Sequence, residues 1–554
     1  MKVFCLYPND TGVTRIAYGF DQVIACIEAA GHEVKLFDTT FYRVFEEDDE
    51  ERRERLGQVL PTNLSEHISY EPATKDEVIE EIVSSVRTWG PDAIVVSVVE
   101  VLLPFTYRIV AALKARFPDL PIMLGGIGVT SAPYFVAEEC PVDYLNVGEG
   151  EESIVEFLDT MKSGGDLTKI RNVWARGNDG QMITNPLRNL VKLDSLPWHD
   201  FKHWDDRHFP RPMRGKIYRM IMYATSRGCV QKCTYCFNDT LKNISTGLGA
   251  YLRWRSVDRV MAELRSLIDT HKLNLIFFMD DDFLTMRLPH MEEFFARYTK
   301  EIGLPYICQA TPIYANNEAK MDLLAKSGCI NLCMSIDVGN EFLRYQVVKR
   351  KMSRNLMHRS FHVARKKGVW TSSSSIFGFP GETREEIFET IKLGKEIASD
   401  TYTVSILMPY RGTEVRRYAE EKGLIDAKYC VPDSLRHVPD FKISALSKKE
   451  LENLERTFVL YVKCPTWAYP LIEMAEKDER AFEFLYPYLD RLGEQEHARL
   501  KETITREPLV ELDMEEERQI ARTVDLKVKP HLSPLNVPFD RKELFAGAGA
   551  ASQS

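Results

Sequence analysis

The sequence predicts an α/β protein in three parts. These are an N-terminal doubly wound parallel sheet over residues 1–160, a partial parallel (β/α)6 barrel over 221–430, and a mostly helical C-terminal part over 431–554, with 161–220 as a linker. Three observations predict this. Short apolar runs alternate with amphipathic stretches through the first 160 residues, the pattern of successive βαβ units. The same alternation resumes at Ile221 and runs for six units. After about residue 430 the pattern turns helical and charged, as in SKKELENLERTFVLYVKC (447–464) and EKDERAFEFLYPYLDRL (476–492).

In chain order, Val3–Tyr7 reads as a buried strand and Gly19–Ala30 as a helix with Val23, Ile24 and Ile27 on one face. Val34–Phe37 is the next strand. The mixed-charge run EEDDEERRER (46–55) reads as a solvated helix face or loop without a function. Asp76–Thr88 places Val78, Ile79, Ile82, Val83 and Val86 at helical spacing. Ala93–Ser97 is a continuous apolar strand, expected where both faces of a sheet are covered. A helix over Thr106–Arg116 and strands at Ile122–Leu124 and Tyr144–Val147 complete the first part. Gly164-Gly165, LDSLPW (193–198) and HFPRPMRG (208–215) mark the linker by their turn-forming residues. The six barrel strands are expected at Ile221–Ala224, Leu275–Met279, Ile307–Ala310, Ile330–Ile336, Ser375–Phe377 and Thr403–Leu407, separated by helices such as Ser256–His271 and Thr383–Ile397. In such barrels chemistry sits at the C-terminal ends of the strands. The small, polar AGAGAASQS at the end reads as a frayed tail.

Composition narrows the class. The 554 residues suit three to four domains at roughly 150 residues each. A net charge of −10 argues against a nucleic-acid partner. No apolar run approaches the roughly 20 residues of a membrane span, and MKVFCLYPND has no hydrophobic signal core. Eleven cysteines are too few for a disulfide scaffold, which predicts a cytoplasmic location.

Cys229, Cys233 and Cys236 form C-x3-C-x2-C within SRGCVQKCTYCFND (226–239), directly after an apolar strand. Three thiolates on one loop suit soft iron and leave one iron of a 4Fe–4S cluster open to a small chelate. A zinc site would want a fourth Cys or His at close spacing, and His199, His203, His208 and His271 do not offer it. Cys329 and Cys333 lie in one strand-like run and read as packing residues. Cys308 reads as a barrel-strand residue that could face the cavity. Cys5, Cys26, Cys140, Cys430 and Cys464 read as structural.

The triplet, with Tyr235 before its last cysteine, resembles the radical S-adenosylmethionine (SAM) superfamily. The resemblance continues through Asp280-Asp281-Asp282-Phe283, SGCINLCMSIDVGNE (327–341), FGFPGET (377–383) and LMPYRGTE (407–414), in the family's order. It implies a 4Fe–4S cluster on the three cysteines, with SAM chelating the open iron and split to a 5′-deoxyadenosyl radical. It further implies SAM contacts from Tyr235, Phe237, Asp280, Asp281, Asp282, Asp337, Gly378 and Gly381. Asp337 stands where relatives usually carry Glu.

Ahead of the barrel, the loops YPNDTG (7–12), SVVE (97–100), GGIGVTS (125–131) and VGEGEES (147–153) fall at the carboxyl ends of parallel strands, where open sheets bind ligands. They lack G-x-G-x-x-G, which disfavours NAD. In order they resemble the Rossmann-like cobalamin-binding domain of one radical SAM class. That implies cobalamin held by Asn9, Ser97, Val99, Glu100, Gly125, Gly126, Gly128, Gly148, Glu149 and Gly150. Asp10-Thr11-Gly12-Val13-Thr14-Arg15 offers no histidine to cobalt. The resemblance as a whole implies methylation of an unactivated carbon of a small-molecule or natural-product-like substrate, with an electron donor such as flavodoxin or ferredoxin. Radical rearrangement, cyclisation or ring contraction is the second reading. A non-catalytic cobalamin or redox sensor is the third, and no helix-turn-helix signal supports it.

Overall fold

A computed structural model of the chain describes residues 1–429, 443–512 and 535. Strands β1 (Lys2–Tyr7), β2 (Glu33–Asp38), β3 (Ala93–Ser97), β4 (Ile122–Gly125) and β5 (Tyr144–Asn146) lie in the order β2-β1-β3-β4-β5, all parallel. Alternation along these strands divides their side chains between two cores. Val3, Cys5, Val95 and Met123 join one, and Phe4, Leu6, Ile94, Val96 and Leu124 join the other. This is why β3 is apolar from Ala93 to Val96. Helices α1 (Tyr18–Ala29), α2 (Asp49–Arg55), α3 (Lys75–Trp89), α4 (Leu103–Arg116) and α5 (Glu151–Lys162) connect and flank the sheet. A capping box between Thr74 and Glu77 starts α3, and Gly90 ends it at φ 62°. The charged run forms α2, started by a capping box between Asp48 and Glu51.

The segment 161–220 is more than a linker. Strands β6 (Val173–Arg176) and β7 (Met182–Ile183) extend the sheet antiparallel beyond β5, with Trp174 fully buried. Short strands among Gly, Pro and Asn carry too little periodicity to be recognised. Farther on, His199 stacks on Tyr18 with ring centroids 4.0 Å apart. Trp204 Nε1 donates to Asp21 at 2.9 Å. One core runs from Val3 and Ile24 through Phe201 and Trp204 to Tyr223 and Phe278, so sheet and barrel are packed as one body.

The barrel sheet runs β8 (Pro210–Met213), β9 (Lys216–Tyr223), β10 (Leu275–Phe278), β11 (Tyr306–Ala310), β12 (Cys329–Asp337), β13 (Thr371–Phe377) and β14 (Thr401–Ile406) in that spatial order. β9 to β14 are the six parallel strands, and β8 adds an antiparallel edge. Helices α6 (Phe237–Ile244), α7 (Val257–His271), α8 (Leu288–Glu301), α9 (Glu318–Ser327), α10 (Arg354–Lys366) and α11 (Arg384–Ile397) alternate with the strands. β13 begins four residues before the expected Ser375, because the serines of TSSSSIF alternate between buried and half-buried positions. The sheet stays open between β8 and β14.

After α12 (Glu414–Glu421), the helices α13 (Lys448–Lys463), α14 (Tyr469–Lys477) and α15 (Glu479–Arg506) pack beside β13, β14 and α11, where Leu454, Phe458 and Tyr461 meet Phe377, Ile391 and Val404. They cover the flank of the open sheet, whose unpaired edge β14 would otherwise be exposed. Of the aromatic runs expected in a cap, Phe482 is core whereas Trp467, Phe484 and Tyr488 are exposed. Cys430 and the frayed-tail residues lie outside the described residues. Among the described residues no helix is long and apolar enough to cross a membrane.

Candidate functional site

The cysteine loop leaves β9 and is fixed at both ends. Asp280, just past β10, accepts from Thr225 N at 3.2 Å, from Thr225 Oγ1 at 2.7 Å and from Ser226 Oγ. Gly228 has φ 101°, and a Cβ there would fall 2.5 Å from the Tyr251 carbonyl, so only glycine allows this approach. Its N–H donates to Asp281 Oδ2 at 3.2 Å. Farther along, Thr234 Oγ1 donates to the Val347 carbonyl at 2.7 Å, and Cys236 leads into α6.

Cys229, Cys233 and Cys236 line one cavity of about 280 Å³ together with Tyr235, Asp281 and Arg350. Among the described residues no three His, Cys, Asp or Glu side chains converge on a single ion. The three thiols line a common space. Burial pushes Cys229 up to about 11 and Cys233 up to about 12, and raises Cys236 as well. Ligation by metal must displace those protons. Two N–H groups already face the sulfurs, Gln231 N at 3.4 Å from Cys229 and Asn238 Nδ2 at 3.7 Å from Cys236.

The acidic triplet divides its work. Asp280 and Asp282 are buried and tied to the protein, Asp282 by Thr311 N at 3.3 Å and by Thr311 Oγ1. Burial raises each to about 6. Only Asp281 reaches the cavity. Asp337 is also buried, accepting from Tyr235 Oη at 3.1 Å and from Arg350 Nη1 at 2.5 Å. It sits at φ 53° after a bulge in β12, and this turn aims the short carboxylate at Tyr235 and Arg350. Gly378 and Gly381 line no described cavity among those adjoining the thiols. Gly378 N donates to the buried Glu382 carboxylate at 2.6 Å, and Gly381 N donates to the Ile443 carbonyl. A first bulge, at Ile330, corrects the cysteine reading. The extra residue reverses the alternation, so Cys329 turns into the core beside Cys308, sulfur to sulfur 4.0 Å, while Cys333 lines the thiol cavity.

A second cavity of about 680 Å³ lies between the N-terminal sheet and the cysteine loop. Ser97, Val99, Gly125 and Gly126 line it, as do Gly148, Glu149 and Gly150. Phe237 faces this cavity and not the thiol cavity. Asn238 and Asp281 line both, joined by Asn238 Nδ2 to Asp281 Oδ1 at 2.8 Å. Three expected residues lie outside. Asn9 is consumed by its own loop, with Nδ2 on the Val13 carbonyl and Thr40 Oγ1. Glu100 is buried, accepting from Arg411 N at 2.6 Å. Gly128 packs on the 98–100 backbone, where a Cβ would meet Val99 C at 2.9 Å. Gly126 serves the same close packing, at φ 98° with a Cβ position 2.5 Å from the Val98 carbonyl. These two glycines let neighbouring loops touch each other.

An ion network ties this cavity to the cysteine loop. Glu149 accepts from Arg253 Nη2 at 2.5 Å, from Arg227 Nη1 at 3.3 Å and from Val191 N at 2.9 Å. Arg227 also meets Glu151 at 2.5 Å. Burial works against the Glu149 charge, but the Arg253 hydrogen bond and both guanidinium charges outweigh it and hold the carboxyl below its usual range. Sequence reasoning missed Arg227, Arg253, Asn238, Tyr251 and Arg350. Arg227 and Asn238 had a usable signal, since both flank the cysteines within one motif.

Two family models match consecutive stretches, the B12 binding domain over residues 63–158 and the radical SAM superfamily over 223–394. By these matches a B12-binding domain precedes a radical SAM domain in the chain. An uncharacterised methyltransferase of Pyrococcus horikoshii is 27% identical over 387 residues, 68% of this chain and 81% of that protein. Cytidylyl-2-hydroxyethylphosphonate methyltransferase of Streptomyces wedmorensis is 23% identical over 77% of this chain and 83% of its own length. Among solved structures, the radical SAM methyltransferase TsrM of Kitasatospora setae, with cobalamin and a 4Fe–4S cluster bound, superposes with TM-score 0.56 at 19% identity, covering 76% of this chain and 75% of that one. The cobalamin-dependent SAM radical enzyme OxsB gives TM-score 0.62 at 14% identity over 94% of this chain and 74% of that one.

The residues fit the groups these domains imply. Three thiols around one space, with N–H donors already on two of them, suit an iron–sulfur cluster. The adjoining polar wall of Asp281, Gln309, Ser335 and Arg350 suits a zwitterionic chelate such as SAM. The larger cavity, at the carboxyl ends of β1, β3, β4 and β5, suits cobalamin.

Proposed function

We propose that the chain is a cobalamin-dependent radical SAM enzyme that methylates an unactivated carbon of a small molecule. The observation that carries this reading is the meeting of the two cavities at Asn238 and Asp281. In the proposal Cys229, Cys233 and Cys236 hold the cluster. Asp281 and Arg350 face SAM, and the lining from Ser97 to Gly150 faces cobalamin. Bound there, these groups supply one-electron cleavage of a carbon–sulfur bond, hydrogen-atom abstraction and a transferable methyl group. Asn238 and Asp281, which line both cavities, would stand between the two groups. Asp280 and Asp282 keep the loop in place, and Asp337 orients Tyr235 and Arg350. A reducing cytoplasm and a flavodoxin- or ferredoxin-type electron donor complete the proposal.

Methyltransferases among the relatives, including tryptophan 2-C-methyltransferase of Streptomyces laurentii at 20% identity, support methyl transfer. Cyclase relatives, such as the anaerobic magnesium-protoporphyrin IX monomethyl ester cyclase of Rubrivivax gelatinosus at 20% identity, keep cyclisation as the second reading. The test is anaerobic purification with iron, sulfide and cobalamin, followed by turnover with SAM and a reductant. A product heavier by one methylene, with both S-adenosylhomocysteine and 5′-deoxyadenosine released, is the expected outcome. Deoxyadenosine without the homocysteine product overturns methylation, and absence of bound iron overturns the whole reading.

A further inference from the structure

The charged run 46–55 forms a surface helix with no buried residue, but one side of it faces the protein. Its helix α2 roofs a third cavity of about 230 Å³. The floor is apolar and comes from the C-terminal ends of the last two barrel strands and the turn after them, with Ile376, Ile406, Leu407 and Met408. Strand ends of this kind are where parallel barrels place their chemistry. Tyr235 lines this cavity and the thiol cavity alike, so the two adjoin at its side chain.

The roof carries four charges, two of each sign. Arg53 Nε lies 3.0 Å from Asp49 Oδ2, and Arg52 pairs with Glu455, which α13 brings in from the C-terminal part. The Arg52 and Glu455 side chains are 18% and 7% exposed, so neither charge is well hydrated. A ligand that engaged only the guanidiniums would leave two poorly hydrated carboxylates without partners, and a simple cation would strand the guanidiniums. A phosphate dianion would in addition face Asp49 and Glu455 directly. A zwitterion carries one charge of each sign, so it can insert into one of these ion pairs and replace it by two, ammonium on carboxylate and carboxylate on guanidinium. Burial, outweighing the charge of Arg52, pushes Glu455 up to about 7, which loosens the pair an incoming carboxylate must exchange. The volume lies below the roughly 300–1,000 Å³ of drug-sized sites, as suits a compact metabolite.

We propose that this cavity binds the substrate, and that the substrate is an amino-acid-type zwitterion with an apolar side chain, its charged end under α2 and its apolar end toward Tyr235. This rests on the radical SAM reading above.

The test uses the reconstituted holoprotein and calorimetric titration with each of the common L-amino acids. The tightest binder is then compared with its decarboxylated amine, its deaminated acid and its N-acetyl amide. At least one amino acid should bind, and each analogue should bind at least tenfold more weakly. Arg53→Gln should weaken the parent amino acid at least tenfold, with Arg53→Lys intermediate, while iron content and unfolding temperature stay at wild-type values. Arg53 lies on a short surface helix, so the fold does not depend on it. Failure of every amino acid to bind, equal binding of the analogues, or an Arg53→Gln protein of unchanged affinity overturns the proposal. An iron-loaded protein that cleaves SAM yet binds no amino acid refutes this inference alone. A protein that takes up no iron refutes the reading beneath it.

Discussion

The thiol cavity and the larger cavity share Asn238 and Asp281 but are built differently. The thiol cavity takes three of its four cysteines from one loop, 229–236, and the fourth, Cys333, with most of its other walls, from the barrel strands. The larger cavity assembles its lining from segments as distant as Tyr7, Val99, Gly148, Leu190 and Arg253. Their charges differ too. Asp280 and Asp282 behind the thiol loop are raised by burial and held by neutral hydroxyl and amide donors, whereas Glu149 is lowered by two arginines. A site concentrated in one loop fails when one residue is lost. A site distributed over many segments degrades by degrees.

The largest effect is therefore expected from Cys233→Ala. Iron content and deoxyadenosine formation should fall to background while cobalamin uptake persists. Retention of a wild-type iron–sulfur spectrum would dissolve the contrast. A smaller effect is expected from Gly126→Val, which forces a branched side chain to φ 98° against the Val98 carbonyl. The strain should cost roughly 1–3 kcal/mol, visible as a lower unfolding temperature and weaker cobalamin binding with iron content unchanged. Equal loss of both cofactors would mean that the two cavities are one cooperative unit.

The smallest effect is a difference in pH dependence. Glu149 has a folded pKa below its ordinary value, so its contribution is present at neutral pH and lost as pH falls through the folded value. Glu149→Gln should thus cost most near neutrality and least in acid. Asp280 has a folded pKa of about 6, above its ordinary 3.8, so its contribution is present below 3.8 and lost as pH rises through about 6. Relative to wild type, Asp280→Asn should therefore gain stability between pH 4 and 6.5. Thermal melts across that range check both, and parallel slopes would remove the electrostatic distinction.

Legibility followed the same division. The cysteine triplet, the acidic strand end and the glycine-rich loops could all be located, because each lies within a few consecutive residues. Their orientations could not. Which aspartate of 280–282 reaches the cavity depends on Thr225, Ser226 and Thr311 claiming the other two. Whether Cys329 or Cys333 faces the thiols depends on a bulge at Ile330 that leaves no mark in the hydrophobic pattern. The run 46–55 read as solvent-facing because its partner Glu455 lies some four hundred positions away.

By itself the sequence determined the two α/β units, their order and the cluster-binding loop, because strand alternation, helical periodicity and a three-cysteine spacing are local properties of the chain. Only the tertiary structure decided that residues 173–183 extend the first sheet and that sheet and barrel share a core. It alone decided that the C-terminal helices cover the flank of the open sheet, and that three cavities converge around the cysteine loop. Those outcomes depend on which distant surfaces bury one another and which buried charges find partners, and no local pattern encodes that.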